Sequence, residues 1–355
     1  MSSFRPFFNA EIQLEYDGES SRNYSRINND QRSYGGFFIT DPSGVKRMDT
    51  VSLVGPNFDL ANVAAGLLGL KVVLEELPEN RGCIAVKDYH RVVLQVGVQG
   101  GIESDAANLL AKKIATLAMV LEESLLLKLV APASGRHIYP VNEKSNVVRD
   151  RWPHIGAVSS DYASHVPPIA AIKPAAWNSR DPEHVCRVLT KIWSSPSPEE
   201  LQSMLKYHCM SCDFYLEPEK REYLSQRRPS PRNDLSFKYH PWFCFRHLQT
   251  TFEHRLLRNW VEVISRIVEL AMAGPDEYRA CLEAIFRIQH DADQGGVAWE
   301  QLMTHVLKLE HRIQDWRDQL ARYEQGEILA SLPKNGLPKL RQVDHIRKEM
   351  YLYIW

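Results

Sequence analysis

The chain reads as an α+β protein, a mainly antiparallel sheet with flanking helices followed by a helical C-terminal part. Strand-like segments cluster before residue 100. Helical segments interleave with them and then dominate, without the regular β-α-β alternation of a doubly wound sheet. A length of 355 residues allows one large or two ordinary domains.

Phe8–Tyr16 alternates, with Ile12 and Leu14 set against Glu11 and Gln13, and so reads as a strand. Residues 17–36 are rich in Ser, Asn, Asp and Gly and form a polar loop. Thr50–Val54 gives a short strand, and Phe58–Leu77 has helical apolar spacing. Cys83–Val86 and Val92–Val98 read as strands, the second apolar enough for a sheet centre. Ser104–Val130 is a long helix, capped by Ser104 or Asp105 and stopped at Pro132. Residues 133–182 hold many Pro, Ser and Gly and make an irregular connection.

Ser197-Pro198-Glu199-Glu200 is a capping box with proline at the first helical position, so a helix runs from Pro198 to about Tyr207. Residues 218–232 are charged and carry prolines, as an exposed loop does. A helix from Glu253 puts Leu256, Leu257, Trp260, Ile264, Ile267 and Ala271 on one face and stops at Gly274-Pro275. Asp276–His290 is a further helix. Val297–Gln325 is the last long one, with a heptad stripe of Trp299, Leu302, Val306, Leu309, Ile313, Trp316, Leu320 and Tyr323. Leu340–Trp355 is one more helix or a tail. The division expected is an α+β domain over 1–275 and a helical extension over 276–355 packed on it.

Composition narrows the setting. The formal net charge is -1, so no global field draws nucleic acid or an anionic membrane. The first residues lack the apolar core of a signal peptide. The most apolar stretch, Leu109–Val130, is interrupted by Lys112, Lys113, Glu122, Glu123 and Lys128, so no membrane span is expected. The six cysteines are scattered, as suits a reducing compartment, and the expectation is a soluble cytoplasmic protein.

Four segments in order carry a family resemblance. They are Phe8-Asn9-Ala10-Glu11-Ile12-Gln13-Leu14, Ser52-Leu53-Val54-Gly55-Pro56, Val92-Val93-Leu94-Gln95-Val96-Gly97, and the run from Phe243 to the helix bearing Trp260. Together they resemble the signature of the amidoligase family, glutamine-synthetase-like carboxylate–amine ligases. The resemblance implies ATP and Mg²⁺ as cofactors, with a small-molecule carboxylate and an amine as substrates. The carboxylate is phosphorylated, and the amine then displaces the phosphate. It implies Glu11, Gln13 and Gln95 as metal positions, and Arg136, Arg246 and Thr251 as phosphate- or substrate-binding groups. Arg246 and Glu253 are the implied catalytic residues.

The family's charges are mostly replaced. Of the expected metal or acid positions Glu11, Gln13, Ser52, Val93, Gln95 and Cys244, Glu11 alone keeps a carboxylate, while the fold-bearing positions persist. That profile describes a catalytically degenerate copy that binds a small ligand or partner. The alternatives are a divergent ATP-dependent ligase and a helix-mediated assembly protein that dimerises through 299–323. His208-Cys209-x-x-Cys212 lacks a second ligand pair nearby, so no zinc is expected.

Overall fold

The computed structural model describes residues 5–17, 38–40, 51–54, 57–75, 83–85, 90–98, 104–131, 139–149, 151, 160–172, 182–208, 210–217, 242–292 and 297–327. Eight strands form an antiparallel sheet. They are β1 (Pro6–Asp17), β2 (Phe38–Thr40), β3 (Val51–Val54), β4 (Phe58–Asp59), β5 (Cys83–Ala85), β6 (Val92–Val98), β7 (Phe214–Glu217) and β8 (Trp242–Phe245). The order is β2-β3-β1-β6-β8-β7, with β4 and β5 also paired to the long β1. The antiparallel sheet with helices against it agrees with the α+β reading.

The two sheet faces differ sharply. Phe8, Ala10 and Ile12 of β1, Leu94 and Val96 of β6, Phe243 and Phe245 of β8, and Phe214 and Leu216 of β7 are buried. Period-2 alternation makes these one apolar face, packed on helices. The other face carries Asn9, Glu11, Gln95, Cys244 and Tyr215.

Helix α3 (Ser104–Leu121) lies at the centre. From Leu110 to Leu121 every residue is buried, so this helix is enclosed on all sides. Around it are α6 (Pro182–Ser194), α7 (Pro198–Leu205), α8 (His254–Met272) and α9 (Pro275–Ala292). Ser197 caps α7 by accepting from the Glu200 N–H at 3.3 Å, and Pro198 opens the helix as expected. The connection over 133–182 contains two short helices, α4 (Val141–Lys144) and α5 (Asp161–His165). Strand β7 is a four-residue segment beside a charged loop, whereas helix α6 buries Val185, Val188, Leu189, Ile192 and Trp193 at helical spacing inside a stretch that the prolines and serines around it mark as irregular.

Two helices expected to be continuous are broken. Phe58–Leu77 resolves into β4, α1 (Leu60–Ala64) and α2 (Leu68–Glu75). Gly66 at φ 82° and Leu67 at φ 54° turn the chain between them, and Asp59 with Asn62 caps α1. A Gly-Leu pair in the left-handed region ends a helix that periodicity alone would continue. Val297–Gln325 likewise splits into α10 (Ala298–Gln301), a π turn at Leu302–Val306 and α11 (Ile313–Glu324). Lys308 at φ 57° is the break.

The heptad stripe packs into the chain's own core. Trp299, Leu302, Val306, Leu309 and Trp316 belong to the same buried cluster as the sheet and α3. The stripe keeps its apolar spacing, but the chain folds it inward around the Lys308 break. The C-terminal helices thus share one core with the N-terminal part. Residues 18–36 and 328–355, including the Leu340–Trp355 segment, lie outside the described residues.

Lys113 shows how the centre is tied together. Its ammonium donates to the Ala273 carbonyl at 2.5 Å, capping the C-terminus of α8, and sits 4.8 Å over the Tyr278 ring. Tyr278 donates back to the Lys113 carbonyl at 2.9 Å. Burial pushes the Lys113 amine down to about 8, against a weaker opposing pull from Glu277. A lysine lowered in the folded state binds fewer protons there than in the unfolded chain as pH rises from 8 towards 10.5. Its desolvation cost is therefore fully present below pH 8 and is relieved above it. Urea midpoints of the wild type should rise relative to Lys113→Met across that window; parallel pH profiles would contradict the placement.

Candidate functional site

Strand register builds the polar face of the sheet. Glu11 pairs with Val93 on β6 and with Val54 on β3, while Gln13 pairs with Ser52. Asn9 pairs with Gln95, Gln95 with Cys244, and Cys244 with Tyr215. The six positions singled out above, Glu11, Gln13, Ser52, Val93, Gln95 and Cys244, therefore share one face of four adjacent strands, since residues two apart and directly paired residues share a face.

The row through Asn9, Gln95, Cys244 and Tyr215 is polar but carries no acid. Asn9 donates to Asn57 Oδ1 at 3.1 Å. Cys244 is fully buried beside Tyr215, whose hydroxyl is pushed up by burial and by the Cys244 and Glu217 charges. At the row's edge, Phe7 and Trp242 meet edge-on at 5.1 Å across Gly97. A Cβ at Gly97 would lie 2.5 Å from the Phe7 ring, so glycine is what admits the two rings.

Beyond Phe245 the pairing slips by one residue. Leu94 pairs with Phe245, but Arg91 bridges Gln249, three residues on one side against four on the other. That bulge re-aims the chain at Arg246 and His247. Arg246 turns to the polar side, its Nε 3.7 Å from Asp213 Oδ1 and its Nη2 donating to the Ser211 carbonyl at 3.2 Å. His247 turns inward and its Nε2 meets Glu122 Oε1 at 3.0 Å, both side chains fully buried.

Glu122 opens a π turn, Glu122–Leu126, at the end of α3. It also accepts the backbone N–H groups of Val141 at 2.9 Å and Asn142 at 2.7 Å. Burial pushes its carboxyl up, and His247 and the two N–H groups pull it back. Asp213 is equally buried and accepts the Tyr139 N–H at 2.8 Å. Glu122, His247 and Asp213 were not read as site residues. The one signal was a carboxylate at Glu122 within an apolar helix, since buried acids occur when partnered.

The remaining candidates sit elsewhere. Thr251 is fully buried, and its hydroxyl accepts the Glu253 N–H at 3.1 Å. Glu253 precedes α8 and is held by Arg322 Nη1 at 2.9 Å, with Arg255 Nε at 3.7 Å. Those contacts make it an interhelical ion-pair partner between α8 and α11. Arg136 lies outside the described residues, as does Cys209. Cys212 is buried and its thiol is pushed up by burial, then by Glu122 and Asp213, while His208 is exposed. That pair does not share a metal-ready environment.

Among the described residues on the face, a Mg²⁺ serving phosphoryl transfer would find one carboxylate within reach. Mg²⁺ takes carboxylate and phosphate oxygens. Glu11 brings one carboxylate, Gln95 lies diagonal to it with a neutral carbonyl, and buried Val93 occupies the position between them. Glu217, the acid at the far end of β7, is three strands across and four residues along, more than about 15 Å from Glu11. Among the described residues no three His, Cys, Asp or Glu side chains group to hold a metal ion. No described helix is long and apolar enough to cross a membrane.

No protein-family model matches the chain, and no curated protein matches it.

Proposed function

We propose that the chain is an amidoligase-like protein that has lost the metal-dependent step and binds a small polar ligand or a partner on the polar face of its sheet. One observation carries this reading. The six positions where the resemblance expects metal or acid groups fall on one face of β3, β1, β6 and β8, yet Glu11 alone holds a carboxylate. The scattered cysteines and balanced charge support a cytoplasmic setting.

The second reading, a divergent ATP-dependent ligase, has one observation in its favour. Glu11, Gln13 and Gln95 occupy neighbouring positions on that face, and one carboxylate plus substrate phosphates sometimes holds Mg²⁺. Calorimetric titration with ATP, with and without Mg²⁺, separates the two. The expected result is no Mg²⁺-dependent nucleotide binding at about 1 mM, and no change on Glu11→Ala. Mg²⁺-dependent binding abolished by Glu11→Ala would install the ligase in place of the degenerate copy.

A further inference from the structure

One end of the polar sheet face is a platform of rings. Phe7 pairs with Gly97, and Trp242 pairs with Glu217. A Cβ at Gly97 would lie 2.5 Å from the Phe7 ring and 3.1 Å from the Trp242 ring, so both rings lie over the glycine backbone. They meet edge-on, with centroids 5.1 Å apart. Each ring is half-buried and so keeps a surface towards solvent.

The next row on the same face is Asn9, Gln95, Cys244 and Tyr215. Directly paired residues place their Cβ atoms about 5 Å apart, and residues two apart along a strand face the same way. Gln95 therefore stands next to the ring platform, between Asn9 and Cys244. Asn9 and Cys244 are buried, whereas Gln95 and Tyr215 are half-buried. Asn57, exposed just ahead of β4, is tied to the Asn9 amide at 3.1 Å. Glu11 and Glu217 stand at opposite corners of the face, both half-buried.

The chemistry of these groups selects a kind of ligand. A carboxylate accepts hydrogen bonds and cannot donate, while a glutamine amide does both. A ligand that can only accept, such as a phosphate or a carboxylate, would meet Glu11 and Glu217 without a match, and none of the positions named on this face is Lys or Arg. A ligand that can only donate, such as an ammonium, would leave the Gln95 amide N–H groups unmatched. A hydroxyl donates and accepts, and so suits both. The rings add a second requirement, a flat apolar surface on the ligand. A sugar ring combines C–H faces with a rim of hydroxyls.

We propose that this end of the sheet face binds a neutral sugar, its C–H face on Trp242 and Phe7 and its hydroxyls on Gln95 and Glu217. The proposal rests on the reading of the face as a ligand surface without a metal step, and it adds the class of ligand.

Ligand-observed NMR titration of the full chain, without nucleotide or divalent metal, tests it with maltose, cellobiose and lactose. Gluconate and spermidine are the anionic and cationic comparisons. At least one disaccharide should bind saturably below about 10 mM, and more tightly than either comparison. Gln95→Leu keeps the bulk of the side chain and removes its hydrogen bonds, so it should weaken that binding about fivefold or more. Trp242→Leu should do the same by removing the platform, and Gln95→Leu alone decides if Trp242→Leu does not fold. Arg266→Gln, on the exposed side of α8, should leave binding unchanged. No saturable disaccharide binding, unchanged binding in Gln95→Leu, or tighter binding of gluconate or spermidine would each overturn the sugar assignment. Mg²⁺-dependent ATP binding lost in Glu11→Ala would instead overturn the reading beneath it, so the two failures are distinct.

Discussion

Glu122→Ala is expected to cost about 3–5 kcal/mol of folding free energy, because it strands several buried partners at once. The carboxylate accepts from His247, from the Val141 N–H and from the Asn142 N–H, all away from water. Removing it leaves two backbone donors and an imidazole without an acceptor. Glu122→Gln should cost less, since its carbonyl keeps one acceptor while its amide faces groups that already donate. Denaturant midpoints for Glu122→Ala, His247→Ala and the double variant check this. Partners in one network give a double variant less destabilised than the sum of the singles. A Glu122→Ala loss below about 1 kcal/mol, the scale of an exposed pair, would mean that water reaches the site. The pair matters beyond stability. It clips the start of α4 and the bulge at Arg246–His247 to the end of α3, and so fixes where Arg246 leaves the sheet.

That wiring shows where the sequence runs out. Alternation along Phe8–Tyr16 separates the face bearing Glu11 from the face bearing Ile12, and period 2 makes this legible without any partner. Which strands stand beside β1 is a different matter. The register that lines Gln95 up with Cys244 joins residues about 150 positions apart in the chain, and nothing local encodes it. The bulge after Phe245 is equally silent, because it is a mismatch between two strands and not a property of either. His247 and Glu122 read as unrelated for the same reason. The broken helices fail differently. Apolar spacing persists through Leu67 and Lys308, and only backbone angles stop the helix there, one of them at a lysine that carries no turn signal. The candidate site was legible as a set of positions on alternating strands.

Trp193→Ala is the other change with a large expected effect, again about 3–5 kcal/mol, from lost burial plus the cavity left behind. Trp193 is fully buried, and its Nε1 donates to the Thr116 hydroxyl at 3.0 Å. Around it lie His165 at 5.3 Å, Tyr278 at 6.3 Å and Tyr162 at 6.4 Å between ring centroids. These rings come from α5 and α9, and Thr116 from α3, so one indole on α6 joins the middle of the chain to its C-terminal helices. Trp193→Phe should cost only about 1–2 kcal/mol, by leaving Thr116 without its donor and a smaller gap. The pair of variants also tests how the chain divides. If the helices beyond residue 275 share one core with the sheet, as the buried cluster indicates, Trp193→Ala lowers a single unfolding transition seen alike by far-UV circular dichroism and tryptophan fluorescence. If those helices form a layer that folds on its own, the same variant splits the melt, and the early step carries the Trp299 and Trp316 fluorescence change while the sheet signal persists.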